Sequence, residues 1–129
     1  HYNTDPLNLD HLESNSRIIS GDSTDFVNLL SFAASKDLTE TSNYSYIQKN
    51  VDLSNLMDFV IVQDYFANSS WGHNREVWRD NKNDNLWRWI LVDMDRGFNS
   101  SRISTNQLGD IYNNFDLFRS LTNNTNFKK

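Results

Sequence analysis

The spacing of apolar residues predicts three helices in the first half of the chain. Asp22 or Ser23 is placed to cap a helix that runs to about Lys36. A short helix from about Thr41 to Lys49 would turn one apolar face inward. The clearest pattern covers about Leu53 to Ala67, where apolar residues recur every three or four positions. This segment is apolar around so much of its circumference that we expect it to be the central helix, with Asp52 as its N-cap.

Two strand-like runs follow the central helix. Arg75 to Arg79 alternates between polar and apolar residues, and Leu86 to Val92 is more continuously apolar. The six residues between them, 80–85, are all polar. This arrangement predicts an antiparallel β-hairpin with a polar connecting loop.

The two ends of the chain have weaker patterns. Residues 1–21 are polar and contain the only proline, so we predict an irregular lead-in. After Gly97 the pattern is typical of a loop as far as about Tyr112, and a last amphipathic helix is predicted around Phe115 to Leu121. The predicted fold class is α+β, mainly helical, with one antiparallel β-hairpin. The residues expected in the core are Phe59, Ile61, Trp89, Leu91 and Phe98, with one tryptophan partly exposed.

Composition and charge exclude several classes of function. The chain has 129 residues, 37% of them hydrophobic, which is enough for one folded domain. Its net charge of -5 argues against nucleic acid as a partner, because phosphate recognition requires a basic surface. No segment has the ~20 apolar residues of a membrane span. Cysteine is absent, which excludes disulfides and thiolate zinc sites.

The second predicted strand leads into two carboxylates, Asp93 and Asp95. If the strand continues to Asp93, residues two apart point to one face and the two carboxylates converge. Such a pair would repel, and a divalent cation would remove the conflict. Mg²⁺ prefers one or two carboxylates together with water and phosphate oxygens, so the pattern indicates a metal-phosphate site. The alternative is that Asp93 forms an ion pair with Arg96 or Arg88, while Asp95 caps a turn.

The loop that precedes the hairpin, Ser70-Trp71-Gly72-His73-Asn74, would lie next to Asp93 if the two strands pair. Asn74 could then supply a neutral oxygen to the same metal. His73 is either a proton acceptor or an ordinary solvated histidine. Trp71 is expected to be a packing anchor.

A longer motif combines these segments. Its parts are Val51-Asp52-Leu53, Phe59 and Asp64 to Asn68, then Trp71, Asn74 and Val77-Trp78-Arg79, and finally the run from Trp87 to Phe98. In this order the residues resemble the spore coat protein H (CotH) kinase family, and the likeness extends from about Asp22 to Lys129.

The resemblance implies a partial kinase-like C-terminal lobe that binds Mg²⁺ and ATP. It implies phosphate transfer to serine of a protein partner, such as a coat or surface protein, and a secreted, cell-surface or spore-associated location. The magnesium-holding aspartate of the family falls on Asp93, and its loop asparagine on Asn74. Asp93 and Asp95 are the candidate catalytic residues, and Asn74 and Asp93 are the candidate cofactor and metal ligands. Residues 22–129 are expected to be part of a CotH-like kinase domain that lacks its N-terminal lobe and is truncated at its C-terminal end.

One departure from the family pattern bears on activity. The position before the loop tryptophan is usually acidic in that family, and here it is Ser70, which cannot accept a proton as a carboxylate does. There is also no glycine-rich loop or strand-borne lysine to hold phosphates. Three alternatives to an active kinase therefore stay open: a kinase-like binding module without transfer, a haloacid-dehalogenase-type site with Asp93 as nucleophile, and a structural surface domain.

Overall fold

The computed structural model describes residues 4–14, 17–99, 101 and 104–129. These residues form five α-helices and one four-stranded antiparallel sheet, so the fold is α+β. The helices are α1 (Thr24–Ser35), α2 (Thr41–Gln48), α3 (Leu53–Tyr65), α4 (Gln107–Asn114) and α5 (Asp116–Leu121). The strands are β1 (Leu9–Glu13), β2 (Arg17–Ser20), β3 (Arg75–Asp80) and β4 (Arg88–Leu91), in the spatial order β2-β1-β3-β4.

The three helices with clear apolar patterns lie where they were predicted. At the start of α3 the Asp52 carboxylate accepts a hydrogen bond from the Asn55 backbone N–H at 3.1 Å, which confirms Asp52 as the N-cap. At the start of α1 the carboxylate of Asp22 accepts bonds from the backbone N–H and the hydroxyl of Thr24. Those two bonds hold the pKa of Asp22 below its ordinary value.

The prediction of a single hairpin was wrong, because the segment predicted as irregular contains β1 and β2. β1 pairs with β3, with Leu12 opposite Val77, and thereby joins the hairpin to the start of the chain. The pattern of β1 was hidden because one of its two buried residues is charged. The buried residues are Asp10 and Leu12, and only Leu12 is apolar. A buried aspartate breaks the apolar alternation by which strands are recognised.

Asp10 is buried because a guanidinium group neutralises it. Its carboxylate is 2.7 Å from Nε of Arg79 on β3, and Asp25 on α1 is 2.7 Å from a terminal nitrogen of the same guanidinium. The guanidinium carbon lies 4.7 Å from the ring centroid of Trp87. This cluster joins β1, β3 and α1 through one buried arginine.

The core lies between the sheet and the helices and is rich in aromatic rings. Phe26 of α1 packs against Trp87, with ring centroids 4.7 Å apart, and Trp89 packs against Phe115 at 5.8 Å. Phe59 and Trp89 are buried, as predicted, and Trp78 is the partly exposed tryptophan.

Three of the predicted core residues were wrong. Ile61 is 57% exposed, since α3 is apolar also on a side that faces solvent. Leu91 is 44% exposed at the end of β4, and Phe98 is 68% exposed. Phe98 packs on the ring of Phe66 at the surface, with centroids 4.2 Å apart.

The edge of the sheet at β4 is covered by the start of α3. The side chain of Asn55 accepts a hydrogen bond from the Trp89 N–H at 2.6 Å and donates one to the Trp89 carbonyl at 3.2 Å. Backbone bonds also join Trp87 to the residues just before α3. β4 is therefore held on both sides, and its register relative to α3 is defined.

The sequence pattern did not predict α4. Its residues include a glycine and two asparagines, and among them only Gln107 and Ile111 are buried. The helix is capped by Asn106, whose side chain accepts a bond from the Gly109 N–H at 2.8 Å. The predicted last helix is α5, which buries Leu117, Phe118 and Leu121.

Within the described ranges, the helices are too short for a transmembrane segment. α3, the longest of them, has 13 residues.

We predict that Asp10→Asn destabilises the fold by about 3 kcal/mol, because it leaves the buried guanidinium of Arg79 without its main counter-charge. Asp25→Asn is the matched control: its side chain is 62% exposed, so its loss should cost less than about 1 kcal/mol. Urea unfolding followed by circular dichroism measures both changes. Equal effects of the two substitutions would contradict the structural role assigned to Asp10.

Candidate functional site

The register of the hairpin brings the two predicted metal ligands together. β3 begins at Arg75, which lies opposite Leu91 at the end of β4. The residues just beyond this pair therefore meet, and the side-chain amide of Asn74 donates a hydrogen bond to the Asp93 carboxylate. This confirms that the loop before β3 lies next to Asp93.

The conformation at Asp93 differs from the prediction. β4 ends at Leu91, and Asp93 has left-handed backbone angles, φ 49° and ψ 61°. Met94–Arg96 then form a 3₁₀ turn. The prediction that Asp93 and Asp95 converge as alternate residues of one strand was therefore wrong, since neither belongs to the strand. Left-handed angles are uncommon at non-glycine residues, but aspartate adopts them more readily than most.

Asp93 and Asp95 nevertheless line the same open cleft. It has a volume of about 330 Å³, and its lining residues are Ser70, His73, Asn74, Asp93, Asp95 and Arg96. Both aspartates are exposed. Among the described residues no ion pair joins Asp93 to Arg96. Arg88, the other predicted partner, instead pairs with Asp52 and Asp84.

A buried asparagine connects the cleft to the central helix. The Asn68 side-chain oxygen accepts two bonds from Ser70, from the backbone N–H at 3.1 Å and the hydroxyl at 2.9 Å. Its amide nitrogen donates to Gln63 of α3 at 2.9 Å and contacts the sulfur of Met94 at 3.4 Å. Met94 lies between the two aspartates, so Asn68 ties α3, the loop and the two-aspartate turn together. In the sequence, Asn68 belongs to the motif that resembles the family, and none of these contacts was predicted for it.

Ser70 shapes the turn that presents His73 and Asn74. Its carbonyl oxygen accepts hydrogen bonds from the backbone N–H groups of His73 at 3.0 Å and Asn74 at 3.1 Å. The side chain is almost fully buried, and its hydroxyl donates to Asn68. His73 is exposed, and its carbonyl accepts a bond from the Ser14 hydroxyl at 2.9 Å, which ties the loop to the end of β1.

Trp71 anchors the loop, as predicted. The side chain is buried, and its indole N–H donates to the Asp110 carboxylate of α4 at 2.7 Å. Its ring centroid is 6.1 Å from that of Phe115. The unpredicted helix α4 therefore helps to hold the loop in place through Asp110.

The side chains that line the cleft are of types that bind magnesium together with phosphate oxygens. The described residues contain no cluster of three or more histidine, aspartate and glutamate side chains that would bind a metal by themselves. Asn74 and the two exposed aspartates, Asp93 and Asp95, line one cleft. Mg²⁺ commonly takes one or two carboxylates from a protein and completes its coordination with water and substrate phosphates.

Comparison with protein-family models gives a match to the family described as CotH kinase protein, over residues 6–129. No curated protein matches the chain, and no solved structure does.

We predict that Asn68→Ala destabilises the fold by about 2 kcal/mol, because it leaves buried polar groups of Ser70 and Gln63 without partners. It should also shift the amide resonances of residues 93–95, which Asn68 reaches through Met94. Asn113→Ala, at an exposed position of α4, is the control and should change neither property. Denaturant unfolding and ¹⁵N-HSQC spectra test this; unchanged resonances at 93–95 would show that Asn68 does not position the turn.

Proposed function

The chain belongs to the CotH kinase family, and we propose that it binds Mg²⁺ and ATP in the cleft around Asp93 and transfers the γ-phosphoryl group to a serine of a protein partner. The observation that carries this proposal is the hydrogen-bonded pair of Asn74 and Asp93, with Asp95 on the same cleft. Carboxylate and amide side chains are the kinds of ligand that a metal-bound triphosphate requires, and their presence around one cleft supports the proposal.

Asp93 and Asn74 are the proposed ligands on the metal side of the cleft. The amide nitrogen of Asn74 is used by the bond to Asp93, which leaves its side-chain oxygen as the atom available to a cation. That bond also fixes the orientation of the Asp93 carboxylate. When bound, Mg²⁺ would neutralise charge on the phosphate oxygens.

Asp95 is the proposed proton acceptor. Ser70 occupies the position that is usually acidic in the family, and its hydroxyl is engaged with Asn68, so it does not serve as a base. Asp95 is an exposed carboxylate in the same cleft. In the proposed transfer the serine oxygen bonds to the γ-phosphorus, the bond from that phosphorus to the bridging oxygen breaks, ADP leaves, and the serine proton passes to Asp95.

The identity of the partner rests on the family alone. We propose a coat or surface protein as the serine-bearing substrate, and a secreted, cell-surface or spore-associated location. The cleft is open and lined by polar side chains, which suits a segment of protein chain as substrate.

A kinase-like module that binds nucleotide without transfer is the second candidate. Ser70 favours it, because the buried hydroxyl replaces the acidic group that would accept a proton. The haloacid-dehalogenase alternative is less compatible with the fold: that type of site opens a parallel sheet, whereas the described strands are all antiparallel.

We predict that Asp93→Asn in the intact protein lowers magnesium-dependent ATP affinity by about tenfold or more, since it removes the charged metal ligand. Asparagine tolerates left-handed backbone angles, so stability should be nearly unchanged. Asp58→Asn, an exposed carboxylate of α3, is the control and should bind ATP normally. Isothermal titration with and without Mg²⁺ measures the affinity; unchanged binding by the Asp93 variant would remove Asp93 from the site.

We predict that Ser70→Asp does not increase phosphate transfer, because Asp95 is the proposed proton acceptor and a carboxylate at position 70 would face the Asn68 side-chain oxygen. Ser70→Asn is the control: asparagine is similar in size to aspartate but carries no charge, and it should not increase phosphate transfer. Transfer of radiolabelled phosphate to a serine-containing protein measures the rate. A severalfold gain over Ser70→Asn would assign the proton acceptor to position 70 and contradict the role proposed for Asp95.

A further inference from the structure

A second cavity lies beside the first residue of β3. Arg75 directly follows Asn74 in the chain, yet its side chain borders a separate space of about 120 Å³. The other lining residues are Leu30, Asn114, Phe115, Asp116 and Leu117. None of these residues lines the cleft around Asp93.

The guanidinium of Arg75 is held in place by aromatic rings. Its central carbon lies 5.1 Å from the ring centroid of Trp71 and 5.1 Å from that of Phe115. Contacts of this kind position a cation at the faces of the rings. Burial lowers the pKa of Arg75, an effect that the charge of Asp116 partly offsets. Arginine nevertheless remains protonated in proteins, so the cavity has a fixed positive charge at its wall.

Among the described residues, the partly buried Arg75 lacks the ion pairs that the two buried arginines form. Arg79 and Arg88 each form ion pairs with two aspartates. Within the described ranges of the chain, Arg75 forms no ion pair, and its Nε is buried without a hydrogen-bond partner. The nearby carboxylate of Asp116 is instead paired with Arg119.

We propose that this cavity binds a small oxyanion, a phosphate or carboxylate group, through the guanidinium of Arg75. A partly buried guanidinium that forms no ion pair is costly, and an oxyanion in the cavity would supply a counter-charge beside it. The planar fork of arginine matches such groups. The cavity volume of about 120 Å³ is well above the ~10–15 Å³ that one water requires by the same measure, which leaves room for a phosphate or carboxylate group.

Asp116 opposes the anion, and this gives the proposal a second test. Asp116 is one of the residues that line the cavity, so its negative charge repels an incoming anion even though Arg119 pairs with it. Removing that charge should strengthen anion binding, whereas removing the charge of Arg75 should abolish it. A merely structural arginine would not produce these opposite effects.

The probes are inorganic phosphate, acetate and chloride, added to the whole chain at matched ionic strength. The readouts are the indole N–H resonance of Trp71 in ¹⁵N-HSQC spectra and the melting temperature. We expect phosphate or acetate to shift the Trp71 resonance and raise the melting temperature, and chloride to do neither. A stronger response to phosphate identifies a phosphate group as the ligand, and a stronger response to acetate identifies a carboxylate.

Arg75→Gln should lower the anion affinity by about tenfold or more, and Arg75→Lys by less, since lysine keeps the charge but loses the fork. Asp116→Asn should raise the affinity severalfold. Arg17→Gln, at an exposed position of β2, is the control and should bind as the unaltered chain does. If Arg75→Gln does not fold, the anion affinities of Arg75→Lys and Asp116→Asn still test the proposal. The proposal is overturned if neither anion shifts the Trp71 resonance, or if Asp116→Asn leaves the affinity unchanged.

Discussion

The pairing of β3 with β4 is the contact on which the cleft depends. Its register sets Arg75 opposite Leu91, so that Asn74 and Asp93 lie just beyond the pair and form a hydrogen bond. A slip of one residue would turn every side chain of one strand to the other face and separate these two groups. Asn55 at the start of α3 bonds to both backbone groups of one β4 residue and thereby opposes such a slip. The central helix therefore defines the position of the cleft as well as the core.

The part of the fold that the sequence predicts is the part that depends on local apolar periodicity. The helices α1, α2 and α3 begin and end within two residues of the expected positions. β1 was missed because its inward-facing Asp10 is neutralised by Arg79, which lies 69 residues away along the chain. A pairing over that separation leaves no signal in a local pattern. α4 was missed for a related reason, since its stability comes from a polar cap and from contacts such as the indole of Trp71.

The sequence predicted which residues lie around the cleft better than it predicted their geometry. A hairpin was enough to bring Asn74 to Asp93, because the two residues flank paired strands. The left-handed backbone at Asp93 and the 3₁₀ turn after it depend on contacts that no spacing reveals. Asn68 is the plainest case: its position after a helix predicts a terminus, whereas its function as a link between Ser70 and Met94 exists only in the folded chain.

The central claim is that Asp93, oriented by Asn74, holds the metal of a bound triphosphate. A crystal structure of the intact protein with Mg²⁺ and a non-hydrolysable ATP analogue tests it most directly. The account predicts a metal ion at about 2.1 Å from an Asp93 carboxylate oxygen, with phosphate oxygens among its other ligands. A nucleotide whose phosphates and metal lie elsewhere, with Asp93 still bonded to Asn74 alone, would contradict it.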